Sequence, residues 1–412
     1  MGSAGMTDDL SVRVETPDAS WWDRIVAFDA RNFGISADHC SDPVHREVQP
    51  LDRFRIAVVG DRLAGVATSV PLELTLPGGV QVAATGVTWV SVGAGYRRRG
   101  VLTHLLDAVH ADGRERGEVT QILFASEAPI YGRFGYGEVT QWWGVEVDAA
   151  SARLHPTGVL PGDMVPVHDD ADPLTSDHVL AVFDEFRRHR PGEVNRAEPR
   201  WRMMRGRWSQ PIGDAGSAHV ITCDDGYAIY RVTPNWDAPE RGERPSHILT
   251  VVDLVALTPQ AHRSLWHRLV NTDLVATVRC GVLALHDPLP LLLADRRWLR
   301  TVSWHDGLWM RVDEPVELLA ARRYGIDDRL TLQVNGRTVT VEAHGGVGHC
   351  TTDAAQADLI VDPRAMGALV MGAGHLGRLA AAGLVHPASA TALGRADRLL
   401  AGDGPPHCST LF

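Results

Sequence analysis

Apolar and polar positions along this chain keep two different spacings, and the places where the spacing changes mark its elements. A helix is predicted over Ser20–Asn32, followed by strands over Phe54–Val59, Leu63–Val70 and Val80–Val92. The period then becomes helical: Val101, Leu102, Leu105, Leu106 and Val109 share one face, with Asp107, Asp112, Arg114 and Glu115 on the other. Gly117 ends that helix. Val119–Ala125 has the apolar, β-rich composition of a buried strand, and Gln141–Val147 reads as the last strand of this part.

A similar order recurs further on. A Pro/Gly-rich connection over 156–166 and a polar stretch over 169–173 precede a predicted helix at Ser176–His189 and the motif Pro199–Met204. Strands at Ala218–Thr222, Gly226–Val232 and His247–Ala256 then lead into a helix at Pro259–Val270. A third region is expected to open with a strand at Trp304–Val312 and a helix at Pro315–Arg323. Strands Arg329–Val334 and Thr338–Ala343 follow, joined by the hairpin dipeptide Asn335-Gly336. Strand Leu359–Val361 and helices Pro363–Met371 and His375–Ala381 complete it. With 412 residues the chain exceeds what one core serves, so two or three domains are expected on size grounds; the order of elements reads as α/β (α+β), divided as 1–150, 151–300 and 301–412.

Chemistry concentrates where the fourth predicted strand turns into the second helix, Val90-Ser-Val-Gly-Ala-Gly-Tyr-Arg-Arg-Arg-Gly-Val-Leu-Thr103. A helix N-terminus leaves backbone N–H groups unpaired and carries partial positive charge, which suits an anion. Arg97, Arg98 and Arg99 add forked donors for phosphate oxygens. The strand after that helix runs into Ser126-Glu-Ala-Pro-Ile-Tyr-Gly-Arg-Phe-Gly-Tyr-Gly137. An arginine triplet alone is usually a solvated surface run; strand, phosphate turn, helix, strand and Gly-aromatic loop in this order say more. In the second unit Leu257–His262 stands at the corresponding place and has neither glycine nor arginine, so that unit is expected to lack a cofactor.

Arg97-Arg-Arg-Gly100-Val-Leu102 resembles the acetyl-CoA signature of the GCN5-related N-acetyltransferases, departing from it at Leu102. Taken with Ala125–Gly137, it resembles the Eis (enhanced intracellular survival) family over essentially the whole chain. The resemblance implies tandem acetyltransferase folds, the second degenerate, closed by a sterol-carrier-protein-like unit. It implies acetyl-CoA as co-substrate, with the backbone of Val90, Ser91 and Val92 meeting the pantetheine arm. Arg97, Arg98, Arg99, Gly100, Val101, Leu102 and Thr103 would then hold the pyrophosphate, and Ser126 and Glu127 would also contact the cofactor. Ser126 has a competing reading as a cap of the following turn, and Glu127 as a carboxylate lining the amine channel.

Direct acetyl transfer to an amine needs a group to take the amine proton and a donor for the departing thiolate. The resemblance assigns the donor to Tyr131, against Tyr136 as competitor, and the base to the α-carboxylate of Phe412. Termini are commonly frayed, and a tail that merely docks its last ring is the plainer reading. Phe124 stands where broad-acceptance relatives carry a histidine. The implied acceptors are polycations with primary amines: aminoglycosides, polyamines or lysine side chains of peptides. The alternatives are a dedicated metabolite of a biosynthetic or self-resistance pathway, and a non-catalytic binder of an apolar ligand. A homo-oligomer, by resemblance a hexamer, is implied.

Net charge of -11 argues against a nucleic-acid partner and suits a cationic one. Five cysteines, widely spaced and without a CxxC pair, suggest neither a disulfide framework nor a zinc site. The 19 histidines show no metal-ligand spacing and read as surface or helix residues. No apolar run is long enough to cross a bilayer and no leader is evident, so the expected location is cytoplasmic. Met1–Gly5 is set aside as a possible scar.

Overall fold

The computed structural model describes residues 11–40, 42–155, 164–169, 176–236, 246–352, 356–374 and 376–412. Of the expected connection over 156–173, only 164–169 lies among them; Met1–Gly5 and His375 lie outside. The chain forms three sheets that exchange strands.

In the first sheet the strand order is Val12–Glu15, Arg55–Val59, Arg62–Thr75, Gln81–Val92, Thr120–Phe124, Leu308–Val312, Gly137–Glu138. Its two faces are covered by helices whose apolar stripes match them. Val101, Leu105, Leu106 and Val109 of the helix Val101–Glu115 pack on Ala57, Ala64, Ala67, Val87 and Leu123. On the opposite face Trp22, Ile25 and Phe28 of Trp22–Phe33 meet Phe54, Ile56 and Val66. Ile25, Leu105 and Leu106 are wholly buried, each contributing about 2 kcal/mol of transfer free energy.

Two sequence expectations are corrected here. Gln141–Asp148, read as the last strand of the first unit, pairs with Val275–Leu283 and Leu299–Asp306 in the second sheet. The segment Trp304–Val312, read as one strand, is broken at Gly307: its first part lies in the second sheet and Leu308–Val312 in the first, between Thr120–Phe124 and Gly137–Glu138. Both crossings happen at one knot of hydrogen bonds. Gly307 N donates to Thr140 O (2.9 Å), Leu308 N to Thr140 Oγ1 (2.7 Å), and Val139 N to Leu308 O (2.9 Å). A Cβ on Gly307 would lie 2.5 Å from Thr140 Oγ1, so only glycine lets the chains come this close. Local periodicity carries no trace of such an exchange, because either sheet satisfies the same alternation.

The second sheet continues through His247–Ala256, Gly226–Thr233, His219–Cys223 and His168–Asp169, with the helix Pro259–Val270 burying Leu265, Trp266 and Leu269 against it. The third sheet has the order Val347–Thr351, Arg337–His344, Asp328–Val334, Leu359–Val361, Val385–Pro387. Its helix Pro363–Met371 lies directly on the edge of the first sheet. A Cβ on Gly137 would fall 1.6 Å from the Arg364 carbonyl oxygen, and one on Gly367 would fall 3.0 Å from Met310 and Val139 side chains. Arg322, wholly buried, donates to the carbonyls of Leu369, Val370, Leu400 and Ala401, and so fixes where the C-terminal tail leaves this unit.

Candidate active site

The first sheet opens at a definite point. Gln81–Val92 and Thr120–Phe124 run parallel and pair only at Ala84–Thr120, Thr85–Gln121 and Gly86–Ile122; beyond Gly86 they part. On the far side of the former strand a bulge sets in, with Thr88 opposite Thr68 and Ser91 opposite Val66, so that Trp89 and Val90 together face Ala67. Trp89 takes φ +51°, a left-handed conformation costing a non-glycine residue about 1–3 kcal/mol. Its ring is locked edge-on to Phe54 at 5.7 Å and against Trp22 at 6.1 Å, which sustains the strain. Bulges re-aim the backbone next to functional sites. Here the re-aimed groups belong to Val90, Ser91 and Val92, the positions expected to meet a pantetheine arm.

The turn after this strand places Gly93 before a short 3-10 segment, Arg98 at φ +61° and Gly100 at φ +79°. Gly100 is the N-cap of Val101–Glu115 and supplies no side-chain cap, and the first turn holds no acidic residue. The first intrahelical bond is His104 N to Gly100 O, so the N–H groups of Val101, Leu102 and Thr103 have no acceptor within the helix. An anion is the natural partner for such a terminus. Arg97 Nε donates to Val92 O at 3.1 Å, tying turn to strand, while the side chains of Arg98 and Arg99 are exposed. These residues fit the pyrophosphate of acetyl-CoA.

The equivalent helix of the second unit is closed. Thr258 caps Pro259–Val270 by accepting from Ala261 N (3.2 Å), and Pro259 has no N–H to offer. The missing glycine and arginine thus correspond to a terminus where Thr258 takes one N–H and Pro259 supplies none.

On the other strand of the splay, Phe124 leads into the loop carrying both tyrosines. Tyr136 is wholly buried with its hydroxyl 2.9 Å from His110 Nε2. Burial raises its pKa well above the usual phenol value and drops that of His110 to about 3. His110 is therefore an interior histidine, contrary to its reading as an ordinary helix residue. Tyr131 lies edge-on to Tyr136, ring centroids 5.8 Å apart, and is nearly buried. Burial, with Glu127 adding negative charge nearby, pushes it up to about 12. Ser126 is exposed and does not cap the following turn, whose N-cap is Glu127 without a side-chain bond.

The chain's last residue arrives at the same splay. Thr88 Oγ1 donates to the terminal carboxyl oxygen of Phe412 at 3.3 Å. The Phe412 ring lies against Phe124 at 5.2 Å, and Phe124 stacks on Trp142 at 5.0 Å. Gly86, the last paired residue before the strands part, leaves room for that ring: a Cβ there would lie 3.0 Å from Phe412 and 2.5 Å from Leu72. The tail behind it is held along its length. Trp142 Nε1 donates to Cys408 O (2.8 Å), Arg200 Nη1 to Leu411 O (3.0 Å), and Arg196 Nε to Thr410 Oγ1 (2.9 Å).

Several of these partners carry no sequence signal, because they lie hundreds of residues from what they touch. Asp29 was also missed, though a carboxylate on the buried face of Trp22–Phe33 is a detectable anomaly. It is 8 % exposed, accepts from Ser91 Oγ at 2.9 Å, and is raised to about 6 by burial, the Ser91 bond opposing.

Known proteins share this domain order and fold. Residues 13–139 and 192–312 each match an acetyltransferase (GNAT) domain, and 316–409 match a sterol carrier protein domain. An uncharacterized N-acetyltransferase of Streptomyces avermitilis is 34% identical, spanning 98% of this chain and 99% of its own length. The N-acetyltransferase Eis of Mycobacterium tuberculosis (strain ATCC 25177 / H37Ra) is 31% identical over 98% of this chain and all of its own. The crystal structure of Eis1 from Mycobacterium abscessus superposes with a TM-score of 0.84 at 28% identity, covering 97% of this chain and 100% of that one.

Proposed function

Because the chain belongs to the Eis family of N-acetyltransferases, we propose that it transfers the acetyl group of acetyl-CoA directly to primary amines of polycationic acceptors: aminoglycosides, polyamines or lysine side chains. The observation carrying this reading is the splay itself, with an uncapped helix N-terminus on one side and the Phe412 carboxyl on the other.

Acetyl-CoA supplies an activated thioester. Val101, Leu102 and Thr103 offer N–H groups to its pyrophosphate, Arg98 and Arg99 add charge, and the bulged backbone at Val90–Val92 orients the arm. Ser126 and Glu127, which follow the strand Thr120–Phe124, would contact the cofactor from that side. Tyr131 keeps its proton at neutral pH because burial and Glu127 both oppose its ionisation, so it can donate to the departing sulfur. Tyr136 is the poorer donor, since its hydroxyl is already engaged with His110. The Phe412 carboxylate takes the amine proton. Thr88 and the aromatic packing hold it in place. The faces of Phe412, Phe124 and Trp142 give a cation an apolar, π-rich wall beside that carboxylate. Six protomers per assembly and a cytoplasmic site of action complete the proposal.

Released thiol, followed with acetyl-CoA and a panel of aminoglycosides, polyamines and lysine peptides, tests it. Turnover with several polyamines is expected. Thiol release with none of them, despite measurable binding of CoA, would sink the broad-acceptor reading.

A further inference from the structure

The second unit repeats the splay of the first, and what fills it differs. His247–Ala256 and Val275–Leu283 pair in parallel only as far as Val251 and Cys280, then separate. Beyond that point lies a cavity of about 270 Å³, walled by Val252, Leu254, Cys280 and Leu283, and bordered by Pro405, His407 and Ser409 of the tail. With its helix terminus capped by Thr258, this groove lacks the open helix N-terminus that the first unit offers.

We propose that the second unit uses the groove at its splay as a clamp for the C-terminal tail, with Glu193 and Arg196 as positioning residues that set where the Phe412 carboxylate stands. The inference rests on the reading of that carboxylate as the base.

The clamp is a short segment with three attachments. Toward the first unit, Gly192 N bonds Thr75 O (2.9 Å), Thr75 N bonds Glu193 O (3.0 Å), and Glu73 N bonds Asn195 Oδ1 (2.8 Å). Toward the tail, His407 N donates to Pro191 O at 2.8 Å, and both N and Oγ of Ser409 donate to Glu193 Oε2 at 2.8 Å. A Cβ on Gly192 would be 3.1 Å from His407 N and O, so glycine allows the tail this approach. Toward the second unit, Arg196 Nη1 is 2.5 Å from Asp253 Oδ2, which also accepts from Tyr227 Oη at 2.9 Å, and Arg196 Nη2 reaches Ser409 Oγ at 3.1 Å. Glu193 is wholly buried and Arg196 nearly so. Charges sequestered this way keep their geometry, because moving one strands its partner in a dry interior.

Ser409 thus bonds to both clamp residues, three positions before the carboxylate. A misplacement of about 1 Å at a proton acceptor costs on the order of a hundredfold in rate.

The full chain with Glu193→Gln and, separately, Ser409→Ala tests this by two readouts. Carboxypeptidase should release Phe412 about tenfold faster from each variant than from the unaltered chain, and kcat should fall about tenfold while the KM for acetyl-CoA stays within about twofold. Ser409→Ala changes only the tail, so it decides the matter should Glu193→Gln not fold. Release no faster in a folded variant overturns the clamp. Faster release with undiminished kcat supports the clamp and overturns the carboxylate's role as base. Loss of turnover on extending the chain past Phe412, with release from both variants unchanged, overturns the clamp alone.

Discussion

Thr88 and Phe412, 324 positions apart in sequence, meet where the two central strands of the first sheet diverge, hydroxyl to terminal carboxyl at 3.3 Å. The first unit supplies the cleft, the third releases the tail past Arg322, and the second guides it back.

Removing the Tyr131 hydroxyl should affect chemistry, and removing that of Tyr136 should affect folding. Tyr131→Phe is expected to lower kcat by about 10²-fold or more, the usual contribution of a positioned acid, with little change in thermal stability. Tyr136→Phe leaves buried His110 without its partner and should cost about 1–3 kcal/mol of stability. Parallel thiol-release kinetics and melting curves check both, and the reverse order of kinetic effects contradicts the assignment of the acid.

Stability should fall on mild acidification, with a sign fixed by three groups. His110 and His407 titrate at about 3 in the folded chain, each through burial first and then nearby arginines. The unfolded chain binds their protons near pH 6.5, so stability is present above that value and is lost as pH falls from 6.5 toward 3. Each histidine loses about 2 kcal/mol between pH 7 and pH 5. Asp29 acts oppositely: raised to about 6, it holds a proton in the folded chain over the range 6 to 3.8 and returns about 1 kcal/mol by pH 5. Urea midpoints at pH 7 and 5 should therefore differ. Asp29→Asn should raise stability at pH 7 and steepen the decline, and a pH-independent midpoint in both proteins would be inconsistent with these shifts.

The docking of the third unit depends on a missing side chain. Gly137→Ala places a Cβ 1.6 Å from the Arg364 carbonyl oxygen, which a helix backbone cannot yield, and should cost about 3 kcal/mol. Gly132→Ala meets only the flexible Arg364 Cδ at 3.4 Å and should be nearly neutral. Equal denaturation midpoints for the two variants would show that this contact does not hold the units together.

Legibility in the sequence followed the range of the interactions. The turn from Gly93 to Gly100 was readable because its glycines, arginines and helix onset are neighbours, and the lack of such a turn at Leu257–His262 was readable for the same reason. The exchange of strands at Thr140 and Gly307 was not, since Gln141–Asp148 alternates identically whichever sheet receives it. Phe412 reached its place by resemblance alone. Thr88, which bonds Phe412 itself, and Trp142 and Arg200, which bond Cys408 and Leu411 just before it, sit on three separated segments, and nothing local to any of them marks the tail as its contact. His110 looked ordinary because its partner Tyr136 lies 26 positions away across the helix–loop packing.

The most direct test of the account is turnover by a chain extended by two glycines past Phe412, which converts the terminal carboxylate into a peptide. At saturating acetyl-CoA with a polyamine acceptor, thiol release should drop by about 10²-fold or more while the KM for acetyl-CoA stays within about twofold, as expected when a general base is lost and the cofactor seat is kept. Full turnover by the extended chain would contradict the assignment of the Phe412 carboxylate as the base.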